Sequence, residues 1–263
     1  MPARYGSTRL PGKPLLPVAG HTLLERVVRV AREAAAIAGQ CDLVVATDDP
    51  RVAAHAGTLG CDVAVTAADI SSGSGRAFAA AMQRPLRPGI VVNLQGDAPF
   101  IPAGIVATLI AAARASSAAC VTPVVQLDWP ALDAMRAHKA RSPFSGTTCV
   151  RDARGKAFWF SKTILPTIRD EVTLRAQGPL SPVFRHLGLY AYRLTALEKF
   201  EATPPTPYER FEGLEQLRFL EMGLDIQTVA VAPPDHAMSG IDTAEDVALA
   251  EDLIRRFGDP HQP

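Results

Sequence analysis

Short apolar runs alternate with helical stretches along the first half of this chain, and that alternation limits the folds open to it. Residues 43–48, 61–66, 90–94 and 119–124 are apolar, strand-forming runs, and the first ends in Thr47-Asp48. Between them, residues 23–38, 50–59, 75–83 and 105–116 read as helices. Near-continuous apolar strands alternating with helices predict an α/β fold, with a mostly parallel, Rossmann-like sheet covered by helices on both faces. Ligands of such sheets bind at the carboxyl ends of the strands. Thr47-Asp48 and Gln95-Gly96-Asp97 lie at those ends.

The second half reads differently. Residues 157–160 and 187–192 are aromatic-rich strands separated by a long irregular insert. They predict a smaller subdomain over residues 125–212, for an acceptor and a dimer contact, inserted into one domain over 1–263. The chain then returns to a helix at 214–222, a strand at 226–231 and a last helix from Thr243. Thr243-Ala244-Glu245-Asp246 fits a capping box with Asp in place of Glu. The tail over 258–263 is expected to fray.

Hydrophobic residues make up 48% of 263, enough for a large buried core. Lysine plus arginine and aspartate plus glutamate balance at 27 each, so no global basicity points to nucleic acid. No apolar run spans a bilayer and the N-terminus has no hydrophobic signal core, which predicts a cytoplasmic protein without membrane insertion. Cys41, Cys61, Cys120 and Cys149 have no C-x-x-C spacing, so reduced thiols are expected rather than a zinc site.

Chemistry concentrates at the start. Arg4, Arg9 and Lys13 are interleaved with Gly, Ser, Thr and Pro over residues 1–15. Such a loop can turn backbone N–H groups and cations toward one polyanion. It reads either as a triphosphate-binding loop or as a solvated basic surface loop. Asp97 follows a buried strand, where a carboxylate can hold Mg2+ together with phosphate oxygens and water. Asp242 precedes the last helix, and taken alone it reads as an N-cap.

The run Pro2-Ala3-Arg4 to Lys13-Pro14-Leu15 resembles the P-A-R-x-x-S-T-R-L-P-G-K-P-L signature of the sugar cytidylyltransferases, and within them the 3-deoxy-manno-octulosonate (Kdo) family of lipopolysaccharide assembly. Further segments resemble that family in order: Ser72-Gly73-Ser74-Gly75-Arg76, Gln95-Gly96-Asp97, Arg185-His186-Leu187-Gly188, Leu214-Glu215-Gln216-Leu217-Arg218 and Gly240-Ile241-Asp242-Thr243. The resemblance implies a nucleotidyltransferase fold and transfer of CMP from CTP to an acidic eight-carbon keto-sugar, Kdo first, with pyrophosphate released. A different ulosonic or nonulosonic acid, or a catalytically weak nucleotide-binding paralogue, are the alternatives. It further implies Mg2+ on Asp97 and Asp242, catalytic roles for Arg4, Arg9, Lys13 and Asp97, and a homodimer. Ser7, Arg76 and Gln95 are the implied contacts on the nucleotide side. Arg185, His186, Tyr190, Glu215 and Gln216 are those on the sugar side, where Arg185 supplies the planar fork a carboxylate needs. Without the family, His186 reads as a satisfied strand histidine and residues 214–220 as an ordinary amphipathic helix.

Several positions depart from the family pattern. Ala98 and Gly75 replace glutamates, Thr148 replaces a lysine, and where the family's F-S-R leads to a Pro-Trp pair, Ser161-Lys162 here leads to Leu165-Pro166-Thr167. The family also carries an apolar strand directly before P-A-R, whereas this sequence begins at Met1-Pro2. That strand is central, so its neighbours' backbone groups need partners. The expectation is a natural start upstream, with about five to seven more apolar residues.

Overall fold

The structure, a computed structural model, describes residues 1–6, 10–234, 240–241 and 243–259. Ser7, Arg9 and Asp242 lie outside the described residues. The chain divides into two compact units, residues 1–111 with 234–263, and residues 112–233. The second unit is wider than the expected 125–212, because the strand at Ile226–Ala230 pairs with the one that opens the unit.

In the first unit, a 3-10 turn at Lys13–Leu15 leads to the short antiparallel pair β1 (Pro17–Val18) and β2 (His21–Thr22). Helix α1 (Leu23–Ala38) begins where Thr22 Oγ1 accepts the Glu25 N–H at 3.1 Å. It buries Leu23, Leu24, Val27 and Val28 at helical spacing. Then follow β3 (Val44–Thr47), α2 (Pro50–Thr58), β4 (Asp62–Val65), α3 (Gly73–Met82), β5 (Ile90–Asn93) and α4 (Ala103–Ala115). β3 and β4 run parallel, in register from Val44 opposite Asp62 to Thr47 opposite Val65.

Residues 1–3 lie beside β3. The Met1 ammonium donates to Val44 O at 2.8 Å, Ala46 N–H to Met1 O at 2.8 Å and Ala3 N–H to Ala46 O at 2.9 Å. These bonds pair β3 where the sequence suggested an open ladder. The Pro2 carbonyl accepts the Gly96 N–H at 3.1 Å, and a Cβ on Gly96 would stand 2.7 Å from that oxygen. Only glycine lets the strand end after β5 approach so closely.

The second unit is built on β6 (Cys120–Asp128), followed by α5 (Trp129–Lys139), β7 (Thr148–Arg151), β8 (Ala157–Ser161), α6 (Glu171–Gln177), β9 (Leu180–His186), β10 (Tyr190–Arg193), α7 (Leu194–Ala202), α8 (Pro207–Glu212), α9 (Gln216–Glu221) and β11 (Ile226–Ala230). β6 pairs parallel with β11 and antiparallel with β9 and β10. β7 lies antiparallel between β9 and β8. The α/β class holds, but the pairing is mixed, parallel at β3–β4 and mostly antiparallel in this unit. The stretch read as an irregular insert contains α6 and β9. Pro182 inside β9 breaks the sequence signal of a strand. Helix α10 (Ala244–Phe257) returns the chain to the first unit. Its capping box is present, with Thr243 Oγ1 accepting the Asp246 N–H at 3.2 Å and Asp246 Oδ2 accepting the Thr243 N–H at 2.9 Å. Among the described residues, no helix is long and apolar enough to cross a membrane.

Candidate active site

The basic loop is closed at its base. The Tyr5 carbonyl accepts the Gly12 N–H at 3.0 Å, and Gly12 sits at φ 72°, pressed against the Tyr5 ring. This left-handed glycine turns the chain into the Lys13–Leu15 turn and sets the direction of Lys13. Lys13 Nζ lies 2.7 Å from Asp97 Oδ2. Its side chain is 13% exposed and that of Asp97 34%, so the carboxylate is paired yet still open to solvent. Arg4 is exposed, with Nη1 3.4 Å from the Ser71 carbonyl just before α3.

The Gly240-Ile241 segment reaches the same place. Ile241 N–H donates to the Asp97 carbonyl at 2.9 Å, and a Cβ on Gly240 would stand 3.2 Å from that oxygen. The N-cap of α10 is Thr243, so the capping role that Asp242 alone suggested is filled by its neighbour. Asp97 is the described carboxylate here, and its chemistry suits Mg2+, which takes one or two carboxylates and completes its shell with phosphate oxygens and water.

Arg76 lies inside the first unit. It is 2% exposed. Its guanidinium donates to Thr66 Oγ1 and, at 2.9 Å, to the Ile70 carbonyl, and it lies 3.5 Å from Asp48 Oδ1. These contacts tie Arg76 to the segment before α3. Gln95 donates to Asn93 Oδ1 at 3.2 Å, and its amide lies so close to Gly73 that a Cβ there would come within 2.5 Å of it. At Gly75, where the family has a glutamate, the backbone N–H caps onto Ser72 Oγ at 2.9 Å.

The sugar-side residues lie in the second unit, where His186, Tyr190 and Gln216 come together and Arg185 is the residue before His186 on β9. Arg185 stands on β9 between Val125 of β6 and Thr148 of β7. It is half-buried, and burial lowers its pKa with no carboxylate to offset the loss of hydration. Such a cation favours an anionic ligand. His186 is buried with Nε2 2.8 Å from Thr122 Oγ1. That hydroxyl also lies 2.8 Å from the Leu189 carbonyl, which can only accept. The network therefore assigns the proton to His186 Nε2 and leaves Nδ1 as an acceptor. Burial, and then the charge of Lys162, push the His186 pKa down to about 3, so the ring is neutral.

Tyr190 O–H donates to Gln216 Oε1 at 3.0 Å. Burial, with Cys120 and Glu215 adding to it, raises its pKa well above the usual value and keeps the phenol protonated. Gln216 is 2% exposed, and its Nε2 is buried with no hydrogen-bond partner. A buried amide donor left unpaired is costly unless a ligand oxygen meets it. Glu215 is half-buried at the N-cap position of α9, beside Gln216. The His186, Tyr190, Tyr192 and Phe219 rings follow one another at centroid spacings of 5.3, 5.6 and 5.5 Å, and they fix this face of the sheet.

The sequence reading missed Lys162. It is half-buried, burial lowers its pKa while Glu212 opposes the shift, and its charge is felt by His186. The signal was available, because a cation persists here where the family pattern has arginine.

Comparison with known proteins decides the family. The family model described as cytidylyltransferase matches residues 1–226. This chain belongs to the cytidylyltransferase family. A 3-deoxy-manno-octulosonate cytidylyltransferase of Maricaulis maris (strain MCS10) is 39% identical over 260 residues, covering 98% of this chain and 97% of that one. One from Synechococcus elongatus (strain ATCC 33912 / PCC 7942 / FACHB-805) is 38% identical over 256 residues, covering 97% and 94%. A solved CMP:2-keto-3-deoxy-manno-octonic acid synthetase complexed with CTP matches with a TM-score of 0.81 and 32% identity, over 97% of this chain and 96% of that one. A 4-diphosphocytidyl-2C-methyl-D-erythritol synthase from Anaerococcus prevotii DSM 20548, at 13% identity and a TM-score of 0.57 over 92% of this chain and 93% of that one, shares the cytidylyltransferase fold.

Proposed function

We propose that this cytidylyltransferase transfers CMP from CTP to Kdo, an acidic eight-carbon keto-sugar, and releases pyrophosphate. The observation that carries the reading is the Lys13–Asp97 pair at 2.7 Å, which joins a phosphate-neutralising ammonium to a metal-binding carboxylate at a strand end. The anomeric hydroxyl of the sugar attacks the α-phosphorus, a new P–O bond forms, the bond to the β-phosphate breaks, and the hydroxyl proton passes to solvent. Arg4 and Lys13, with Arg9 from the same loop, neutralise the triphosphate and the leaving pyrophosphate. Asp97 and Asp242 would hold Mg2+, which when bound reduces the repulsion between the two anionic substrates. Arg185 pairs with the sugar carboxylate, Gln216 Nε2 donates to a sugar oxygen, and neutral His186 accepts from a hydroxyl.

Pyrophosphate release from CTP, measured against a panel of acidic keto-sugars, tests this reading. Turnover with Kdo supports it, turnover with only another ulosonic acid reassigns the sugar, and CTP binding without turnover on any of them overturns it. The same reading places the enzyme in the cytoplasm, where CTP is made. It also pairs the enzyme with a second copy of itself. The second unit exposes Phe158, Tyr208 and Phe211, with Trp159 and Tyr208 edge to face at 5.0 Å, along the terminal strand β8. A dimer by light scattering that Phe211→Glu dissociates supports this pairing.

A further inference from the structure

Within the first unit, a buried ion pair ties the end of α10 to α1 and to the β1–β2 hairpin. The hairpin turns in two residues, Ala19 and Gly20, both at positive φ, 47° and 84°. Alanine seldom holds that conformation, and here its backbone is gripped on both sides. The Ala19 N–H donates to Glu251 Oε1 of α10 at 3.2 Å, and the Ala19 carbonyl accepts from Arg26 Nη2 at 3.1 Å. Arg26, on α1, also donates through Nε to the Val18 carbonyl at 2.8 Å. The rest of its fork meets Asp259, just past the end of α10, with Nη1 2.9 Å from Oδ1 and Nη2 3.1 Å from Oδ2. Both side chains are buried.

The helix has reason to need this clasp. Ala250 of α10 is buried and Ile254 partly so, in one apolar cluster with Val18, Phe100 and Ile241, while Leu249 and Phe257 are exposed. So narrow an apolar face leaves a helix able to slide or turn on its seat. A buried ion pair adds little net stability over an apolar pair of the same size, but its fork geometry allows one register. The contacts then close a ring. Lys13 pairs with Asp97, the Asp97 carbonyl accepts the Ile241 N–H, Thr243 caps α10, and Glu251 and Asp259 hold α10 on the hairpin that follows the Lys13–Leu15 turn. Asp242 lies outside the described residues, but it stands in the chain between Ile241 and Thr243, and the ring ties both.

We propose that Arg26 and Asp259 are positioning residues that keep α10 seated and, through it, hold the Gly240-Ile241 segment on Asp97, so that this pair sets the affinity for Mg2+. This rests on the reading of Asp97 and Asp242 as the metal carboxylates. Neither Arg26 nor Asp259 acts on a substrate directly. They work as outer partners do at metal sites, by orienting the groups that bind.

Amide hydrogen exchange and steady-state pyrophosphate release, both on the full chain, test the proposal. Asp259→Asn is expected to speed exchange at the Ile241 N–H by about tenfold or more, while the Ala46 N–H of β3 stays protected. It is also expected to raise the Mg2+ concentration for half-maximal turnover by about tenfold and to leave the Kdo KM unchanged. Arg26→Met combined with Asp259→Leu removes the pair without stranding a buried charge, and is expected to give the same two shifts. Asp252→Asn, which breaks pairs with the exposed Arg255 and Arg256 on the same helix, is expected to give neither. Unchanged exchange at Ile241 in both clasp variants overturns the positioning role. Faster exchange at Ile241 and Ala46 alike is a general loss of stability and overturns it too, as does equal loosening by Asp252→Asn. Faster exchange at Ile241 with an unchanged Mg2+ requirement separates the clasp from the metal and sinks the proposal. Exchange needs no turnover, so a wild type that is inactive on every acidic keto-sugar, or that needs no divalent metal, defeats the functional reading while Ile241 still judges the clasp.

Discussion

Lys13 Nζ and Asp97 Oδ2 stand 2.7 Å apart, although 84 residues separate them in the chain. The left-handed turn at Gly12 brings in the lysine, and the close approach of Gly96 to Pro2 brings in the carboxylate. Each therefore depends on a glycine that no other residue replaces without strain.

Asp97→Ala removes the carboxylate that pairs with Lys13 and leaves the ammonium without that partner. Turnover is expected to fall by about 100- to 1,000-fold or more, the scale of losing a main electrostatic stabiliser. Chelation of divalent metal in the wild type is expected to match it. Pyrophosphate release with and without added Mg2+ checks both, and near wild-type turnover in the variant rules out the metal assignment.

Arg185→Ala is expected to raise the Kdo KM by at least about tenfold and to spare the CTP KM, because a half-buried guanidinium gives a carboxylate bonds that alanine cannot replace. Separate titrations of the two substrates decide this. Equal effects on both would place Arg185 on the phosphates.

Arg76→Met behaves oppositely. The guanidinium bonds Thr66 and the Ile70 carbonyl and faces Asp48, so the loss is expected in stability, at about 1–3 kcal/mol for the buried groups left unpaired. The CTP KM of the folded variant is expected to stay near that of the wild type. Urea unfolding and CTP titration separate the two outcomes, and a raised CTP KM at unchanged stability would return Arg76 to the substrate.

His186 makes stability depend on pH. Its folded pKa, about 3, lies below the unfolded value near 6.5, so the unfolded chain binds more protons between those values. Its contribution is complete above pH 6.5 and is lost as pH falls toward 3, at up to about 1.4 kcal/mol per pH unit. Replacement by glutamine is expected to flatten that slope. Urea midpoints at pH 7 and pH 5 for both proteins measure it, and identical slopes would contradict a buried neutral ring.

Much of this arrangement was legible in the chain. Helix α1 has the bounds its apolar stripe predicts, and the capping box at Thr243 closes as its spacing suggests. The motifs Gln95-Gly96-Asp97, at a strand end, and Gly240-Ile241, before the last helix, meet where the Ile241 N–H donates to the Asp97 carbonyl. β9 was hidden because Pro182 interrupts its pattern, whereas α5 was missed although Asp128 as N-cap and Pro130 in the first turn mark its start.

The sequence by itself determined the α/β class, the family and which residue types carry charge near the reaction, because local propensity, apolar spacing and motif order are all written along the chain. The tertiary structure alone decided what those charges do. Arg76 and Arg185 are the same side chain in similar-looking motifs, yet one bonds a hydroxyl and a carbonyl and faces a carboxylate, while the other is desolvated with no carboxylate among the causes of its shift. His186 is neutral and Lys162 is held by Glu212 because burial and partners from distant elements set protonation and orientation. Those partners are neighbours in space and not in sequence, so linear spacing carries no record of them.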